Sequence, residues 1–406
     1  MEENSMPEAT TTESSALAPQ IQAYLQRSSW IRKMFETGAE LKARHGVDAV
    51  CDFSLGNPDL SPPDAVFEAL EDLARRDQRF GYMPNAGYPE ARAALAAFLS
   101  QEQGVPVSDQ DVILTCGAAG ALNSFFRAVL EPGDEVLCPS PFFVEYGFYA
   151  ENHGGKLHPV PTNPDDFSLD LDAVAAAVGP KTRVVLINTP NNPSGRVYAQ
   201  SELHALAELL RSKSRETGRT IYLLSDEPYR FLTFDGHPVP SLLPLYPHTV
   251  VVSSFSKSLA LAGERIGYAL VNPTMPGKAE LLAGLTLTNR ILGFVNAPAI
   301  GQRLMQKALG AQVDVQLYAQ RRTAMAEVLE GANIPFFKPQ GAFYFFPKAP
   351  GGDDVAFVQA LQEELILAVP GRGFGTPGYF RLAFCVDETV IRRSAEGFKR
   401  AAAKFK

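Results

Sequence analysis

The stretch TVVVSSFSKSLALAGERIGYALV, residues 249–271, opens on an unbroken apolar run and changes at Ser253 to small polar residues. It sets Lys257 where the chain turns and closes on a second apolar run. A short run without alternation is what a strand buried on both faces reads as. In an open α/β sheet, ligands gather beyond the carboxyl ends of the strands, which is where Lys257 lies. Taken alone, a lysine there is equally well explained as a solvated residue guarding a sheet edge. Ser254, Ser256 and Arg265 alter that balance, because two hydroxyls and a guanidinium beside an amine suit a phosphate monoester next to a Schiff base.

Outward from this stretch, β-rich runs alternate with helical patterns from about residue 110: DVILTCG, EVLCPSP, KLHPVPT, TRVVLINTP, TIYLLSDEP, TVVVSSFS and IGYALVNP. The pattern predicts an α/β domain whose mostly parallel sheet is covered by helices. A helical tract from Lys278 to Lys307, interrupted at Gly293 and Pro298, leads into a smaller α+β domain. That domain holds the helix AQVDVQLYAQRRTAMAEVL, strand candidates GAFYFFP and YFRLAFCV, and two further amphipathic helices. Residues 1–20, rich in Ser, Thr, Glu and Pro, read as a disordered arm. Residues 21–55 are expected to join the small domain, 56–300 to form the large one and 301–406 to complete the small one.

The 406 residues carry 46% hydrophobic and 20% charged residues and a formal net charge of −8, with no run of basic residues. That balance argues against nucleic acid or an anionic membrane as the main partner. Cys51, Cys116, Cys138 and Cys385 are dispersed, with no CxxC pair and no histidine at zinc spacing, so buried thiols and no metal site are expected. An acidic, polar N-terminus and the lack of a membrane-length apolar stretch point to the cytoplasm.

Three other strand ends are rich in small and polar residues. GAAG, 117–120, offers backbone N–H groups at a helix start, although a strand-to-helix turn needs glycine for its geometry in any case. NTPNNPSG, 188–195, reads singly as a turn. Asp226 in SDEPY, 225–229, needs a cationic or protonated partner if it faces inward, and is otherwise a helix cap or surface acid.

Together with LGNPD at 55–59, YMPNAG at 82–87, PSPFF at 139–143, SFSK with Arg265 eight residues beyond Lys257, and YFRLAF at 379–384, these pieces follow one another over residues 30–390. The ordered set resembles the class I/II aminotransferases, pyridoxal 5'-phosphate enzymes with the aspartate aminotransferase type of fold. The resemblance implies a seven-stranded large-domain sheet and a small domain built from the N- and C-terminal segments. It implies that Lys257 forms the Schiff base with the cofactor and later moves the substrate's proton, and that Asp226 pairs with the ring nitrogen. Asn192 and Tyr229 would bond the phenolic oxygen, and Phe143, with Phe142 as competitor, would stack on the ring. The Ala118 and Ala119 N–H groups, Ser254, Ser256 and Arg265 would hold the phosphate. Tyr82 would reach the phosphate of a neighbouring subunit, which implies a homodimer. Arg381, helped by the Gly56 backbone, would grip the substrate α-carboxylate, with Asn192 beside it. Two positions depart from the usual pattern: Ala91-Arg92 stands for a Leu-Arg pair, and Ser194 for a threonine. Arg290 lies near where some relatives bind a side-chain carboxylate, and is at least as well read as a structural ion pair.

The implied reaction moves an amino group from an L-amino acid to a 2-oxo acid by a ping-pong mechanism. A carbon–sulfur β-lyase would keep every cofactor residue, since both reactions begin by removing the Cα proton. An aminotransferase-like regulator would carry a DNA-binding domain ahead of the fold, whereas a short acidic tail precedes Trp30 here.

Overall fold

The structure is a computed structural model that describes residues 16–27, 29–75 and 80–405. Residues 1–15 of the expected arm lie outside the described residues, and its last two open the helix Pro19–Arg27.

The seven apolar runs all form strands of one sheet: β1 Val112–Cys116, β2 Glu135–Ser140, β3 Lys156–Pro161, β4 Thr182–Asn188, β5 Tyr222–Asp226, β6 Thr249–Ser254 and β7 Ile266–Val271. Their spatial order is β1-β7-β6-β5-β4-β2-β3. β7 runs antiparallel to both its neighbours, and every other pairing is parallel. The unbroken apolar runs follow from burial on both faces. On β6, Val250 and Val252 enter a core with Phe125 and Phe126, while Val251 points the other way toward Leu304 and Met305. The exception is β3, a sheet edge with mostly exposed residues, where Pro159 and Pro161 are tolerated because an edge strand needs fewer ladder donors.

In the small domain, Phe380–Ala383 lies antiparallel between Val369–Pro370 and Tyr344–Phe345, and Cys51–Asp52 runs parallel to Ile366–Leu367. Phe53 joins Phe343, Phe345, Phe357, Phe380 and Phe398 in one core, so the chain before residue 55 packs with the C-terminal part. The helix expected from AQVDV onward begins only at Val315, because the Asp314 carboxylate accepts from the Gln316 and Leu317 N–H groups and caps it there. The expected boundary at 300 falls inside the helix Ala299–Ala308. Its Leu304, Met305 and Ala308 share a core with Val66, Ala69, Leu95 and Leu99, so we propose that the large domain extends through residue 308.

Candidate active site

β4, β5 and β6 are parallel, so their carboxyl ends open on one side of the sheet, and the turn from β1 into the helix Gly117–Val129 arrives there as well. Close approach at this turn depends on Gly267 of β7, where a Cβ would stand 2.5 Å from the Gly117 carbonyl carbon and 2.6 Å from the Ser253 oxygen. Between these ends and the small domain lies a cavity of about 350 Å³. It is lined by Gly56, Ala118, Ala119, Phe143, Asn192, Asp226, Tyr229, Ser254, Ser256, Lys257, Arg265 and Arg381, which is the whole expected set apart from Tyr82.

Lys257 donates from Nζ to the Gly56 carbonyl at 2.8 Å. Burial pushes its pKa down to about 8; the Cys385 thiol opposes this, and the Arg381 and Arg265 charges reinforce it. The amine therefore has a neutral fraction near physiological pH, as a nucleophile and base requires.

Asp226 ends β5. Its Oδ2 accepts from the Tyr146 hydroxyl at 2.5 Å, and its Oδ1 is buried with no hydrogen-bond partner. Burial raises its pKa to about 7, the Tyr146 hydrogen bond opposes the rise, and the Glu227 charge adds to it. A buried carboxylate oxygen without a donor is costly in a folded chain and calls for an occupant that supplies one. A protonated pyridine nitrogen is such a donor.

Another part of the cavity wall suits a dianion. The helix Gly117–Val129 presents its first N–H groups there, and the Arg265 guanidinium lies close enough that a Cβ on Gly117 would stand 2.9 Å from Nη2. Ser254 and Ser256, each 8% exposed, line the same space. Phe143 faces the cavity and meets Tyr146 edge-on at 5.5 Å, whereas Phe142 packs under Gly375, where a Cβ would stand 2.6 Å from its ring.

Arg381 approaches from the small domain. Nη1 donates to Asn192 Oδ1 at 3.2 Å and Nη2 to the Ser54 carbonyl at 2.7 Å, while Nε is buried without a partner. The rings of Tyr344 and Phe374 lie 4.8 and 4.7 Å from the guanidinium carbon. A planar cation held in this way, with donor capacity left over, matches a carboxylate.

Two expected residues lie elsewhere. Tyr82 is 96% exposed, in a surface cleft with Phe80 and Phe294. Arg290 lines a separate surface cavity with Arg92 and Leu287, and among the described residues it forms no ion pair. Tyr146 and Tyr344 line the site without having been singled out. Tyr146 lies three residues beyond Phe143, in the helix Glu145–Glu151, and no local spacing ties it to Asp226, 80 residues away. Tyr344 stood within GAFYFFP, read only as a strand.

The family model for aminotransferase class I and II matches residues 48–398. An aspartate/prephenate aminotransferase of Thermus thermophilus is 33% identical over 370 residues, 88% of this chain and 92% of that protein. An aspartate aminotransferase of Geobacillus stearothermophilus is 31% identical over 90% of this chain and 94% of its own. Among solved structures, an amino transferase from Eubacterium rectale superposes with a TM-score of 0.92 at 38% identity, covering 97% of this chain and 100% of that one. Thermus thermophilus aspartate aminotransferase with maleate gives 0.85 at 31%, covering 96% and 100%. None of these four relatives is named as a lyase or a regulator. Fold, cavity chemistry and relatives agree: the chain belongs to the class I and II aminotransferases, pyridoxal 5'-phosphate enzymes that carry an amino group from an amino acid to a 2-oxo acid.

Proposed function

We propose that Lys257 is the cofactor-bearing lysine and the residue that afterwards takes and returns the substrate's Cα proton through Nζ. The cofactor, when bound, supplies an aldehyde that captures amines and a ring that accepts the electron pair left at Cα. Asp226 keeps the ring nitrogen protonated, and Asn192 and Tyr229 orient the phenolic oxygen. Phe143 covers the ring face. Ser254, Ser256, Arg265 and the Ala118 and Ala119 N–H groups hold the phosphate, and Arg381 fixes the substrate α-carboxylate beside Gly56. The observation that carries this reading is Asp226 Oδ1, a buried acceptor that the protein leaves without a donor on the wall of the cavity that also holds Lys257.

The test is Lys257→Ala. Turnover is expected to fall by about 10⁴-fold or more, and borohydride should no longer attach the cofactor to the chain. Undiminished turnover in this variant would refute the assignment.

Among the described residues the cations lining the cavity are Lys257, Arg265 and Arg381, each engaged in this scheme, and Glu145 adds a half-buried carboxyl whose pKa burial raises. We therefore propose a donor with an uncharged side chain ahead of the aspartate named for the relatives. A panel of L-amino acids against pyruvate and 2-oxoglutarate tests this, and a preference for aspartate would require a cation from a second copy of the chain. We also propose a homodimer in which the exposed Tyr82 reaches its partner's site, and a cytoplasmic location. All four cysteines are free, which suits a reducing compartment. Among the described residues no helix is long and apolar enough to cross a membrane.

A further inference from the structure

Tyr344 touches three functional groups at once. It is 2% exposed and sits on the strand Tyr344–Phe345, in register with Ala383, two residues from Arg381. Its hydroxyl oxygen lies 2.9 Å from the Tyr229 hydroxyl, and the two rings meet edge-on at 5.7 Å and 89°. Its ring flanks the Arg381 guanidinium at 4.8 Å. A Cβ on Gly56 would stand 1.9 Å from its hydroxyl oxygen, so that oxygen rests against the residue whose carbonyl receives Lys257 Nζ.

A phenol carries one proton, so of two facing hydroxyls only one can donate to the other. If Tyr229 donated to Tyr344, its proton would be spent and it would face the cofactor as an acceptor alone. If Tyr344 donates, Tyr229 keeps its proton for the cavity, and the donation it receives polarises its own O–H bond. We propose that Tyr344 is a positioning residue that fixes Tyr229 as a donor toward the cofactor's phenolic oxygen, through the chain Tyr344 O–H to Tyr229 O–H to ligand. This rests on the reading of Tyr229 given above. The Arg381 charge pulls down the pKa of both hydroxyls but flanks the Tyr344 ring directly, which favours this direction, since a nearby cation makes a phenol the better donor. Burial raises both hydroxyls, Tyr344 to about 12 and Tyr229 well above its ordinary value.

The test is a double-mutant cycle on the holoenzyme, read by the visible absorption of the lysine-bound cofactor against pH. Negative charge on the phenolic oxygen holds the proton on the lysine nitrogen. A donor to that oxygen draws the charge away and lowers the pH at which the band changes. Tyr229→Phe should therefore raise the apparent pKa, and Tyr344→Phe should raise it by about 0.5 unit, through a weakened donor. The double variant should match Tyr229→Phe alone, because Tyr344 acts only through Tyr229.

An undiminished Tyr344→Phe shift in the Tyr229→Phe background would overturn the proposed chain. No shift from Tyr229→Phe itself would overturn the reading of Tyr229 on which the chain rests, and the two failures are separable. Donor KM supplies a second readout. Tyr344→Ala removes the ring beside Arg381 and should raise KM by about tenfold. Tyr344→Phe keeps the ring, and its KM should rise less. Equal KM in the two variants would remove the ring's share in placing Arg381.

Discussion

On the cavity side of the sheet, Asp226 holds a single side-chain hydrogen bond, from Tyr146, and leaves Oδ1 without a partner. On the other side, the next residue is fully engaged. Glu227 accepts from Ser225 Oγ at 2.7 Å, Arg230 Nη1 at 3.0 Å and Gln103 Nε2 at 3.1 Å. Both carboxylates are buried. A chain that needed only stability would satisfy both, since an unpartnered buried acceptor costs about 1–3 kcal/mol. The region around Glu227 is complete by itself, and the region around Asp226 leaves one acceptor open at the cavity wall.

The largest effect that separates the two regions should appear in turnover. Asp226→Asn removes the charge proposed to keep the ring nitrogen protonated, and amino transfer is expected to fall by about 10³-fold or more while the fold survives. Rapid-quench measurement of the first half-reaction checks this, and a rate within a few-fold of the parent would show that Asp226 is not the ring-nitrogen partner.

Glu227→Ala should reverse the pattern. It takes from Arg230 its nearer carboxylate and leaves it the Val239 carbonyl at 2.8 Å and Glu102 at 3.6 Å, a carboxyl whose pKa burial raises to about 7 against the pull of Arg230 and with a further push from Glu227. Losing one partner of a buried ion pair costs about 3–5 kcal/mol. Here the loss should lie near the lower figure, because without Glu227 the Glu102 carboxyl ionises more readily and takes over part of the pairing. Urea unfolding of the variant measures it, and turnover of the folded fraction should stay much nearer the parent than in Asp226→Asn. Unchanged stability would mean that the Glu227 network contributes nothing beyond packing.

The sequence carried one half of this contrast. SDEPY offered two adjacent carboxylates, and strand alternation places them on opposite faces without saying which face holds the site. Its position at a strand end, among NNPSG, SFSK and GAAG, singled out Asp226 through the family pattern. The apolar runs made the seven strands legible because burial on both faces leaves no polar alternation. Tyr146 and Tyr344 were hidden for a different reason. Their partners Asp226 and Tyr229 stand 80 and 115 residues away, and no local pattern reports a contact of that separation. Arg290 shows the converse, since nearness in a motif did not bring it to the cavity.

The smallest effect is also the most discriminating, because it has opposite signs with and without cofactor. In the apoenzyme the folded-state pKa of Asp226 stands at about 7, above its ordinary value of 3.8. Ionisation therefore costs the folded state nothing below the lower value, costs progressively more between the two, and reaches its full cost above about pH 7. Asp226→Asn removes that cost and should stabilise the apoenzyme at pH 8 by about 1–2 kcal/mol, after allowing for the buried amide hydrogens it introduces. The gain should shrink as pH falls toward 4, where the parent carboxyl is protonated in both states. With cofactor bound, the parent carboxylate has its cationic partner and the variant does not, so the order of melting temperatures at pH 8 should invert. Thermal melts of both proteins, with and without pyridoxal phosphate at two pH values, decide it. An asparagine variant less stable than the parent apoenzyme at pH 8 would mean that Oδ1 is already satisfied without ligand, and the contrast with Glu227 would lose its basis.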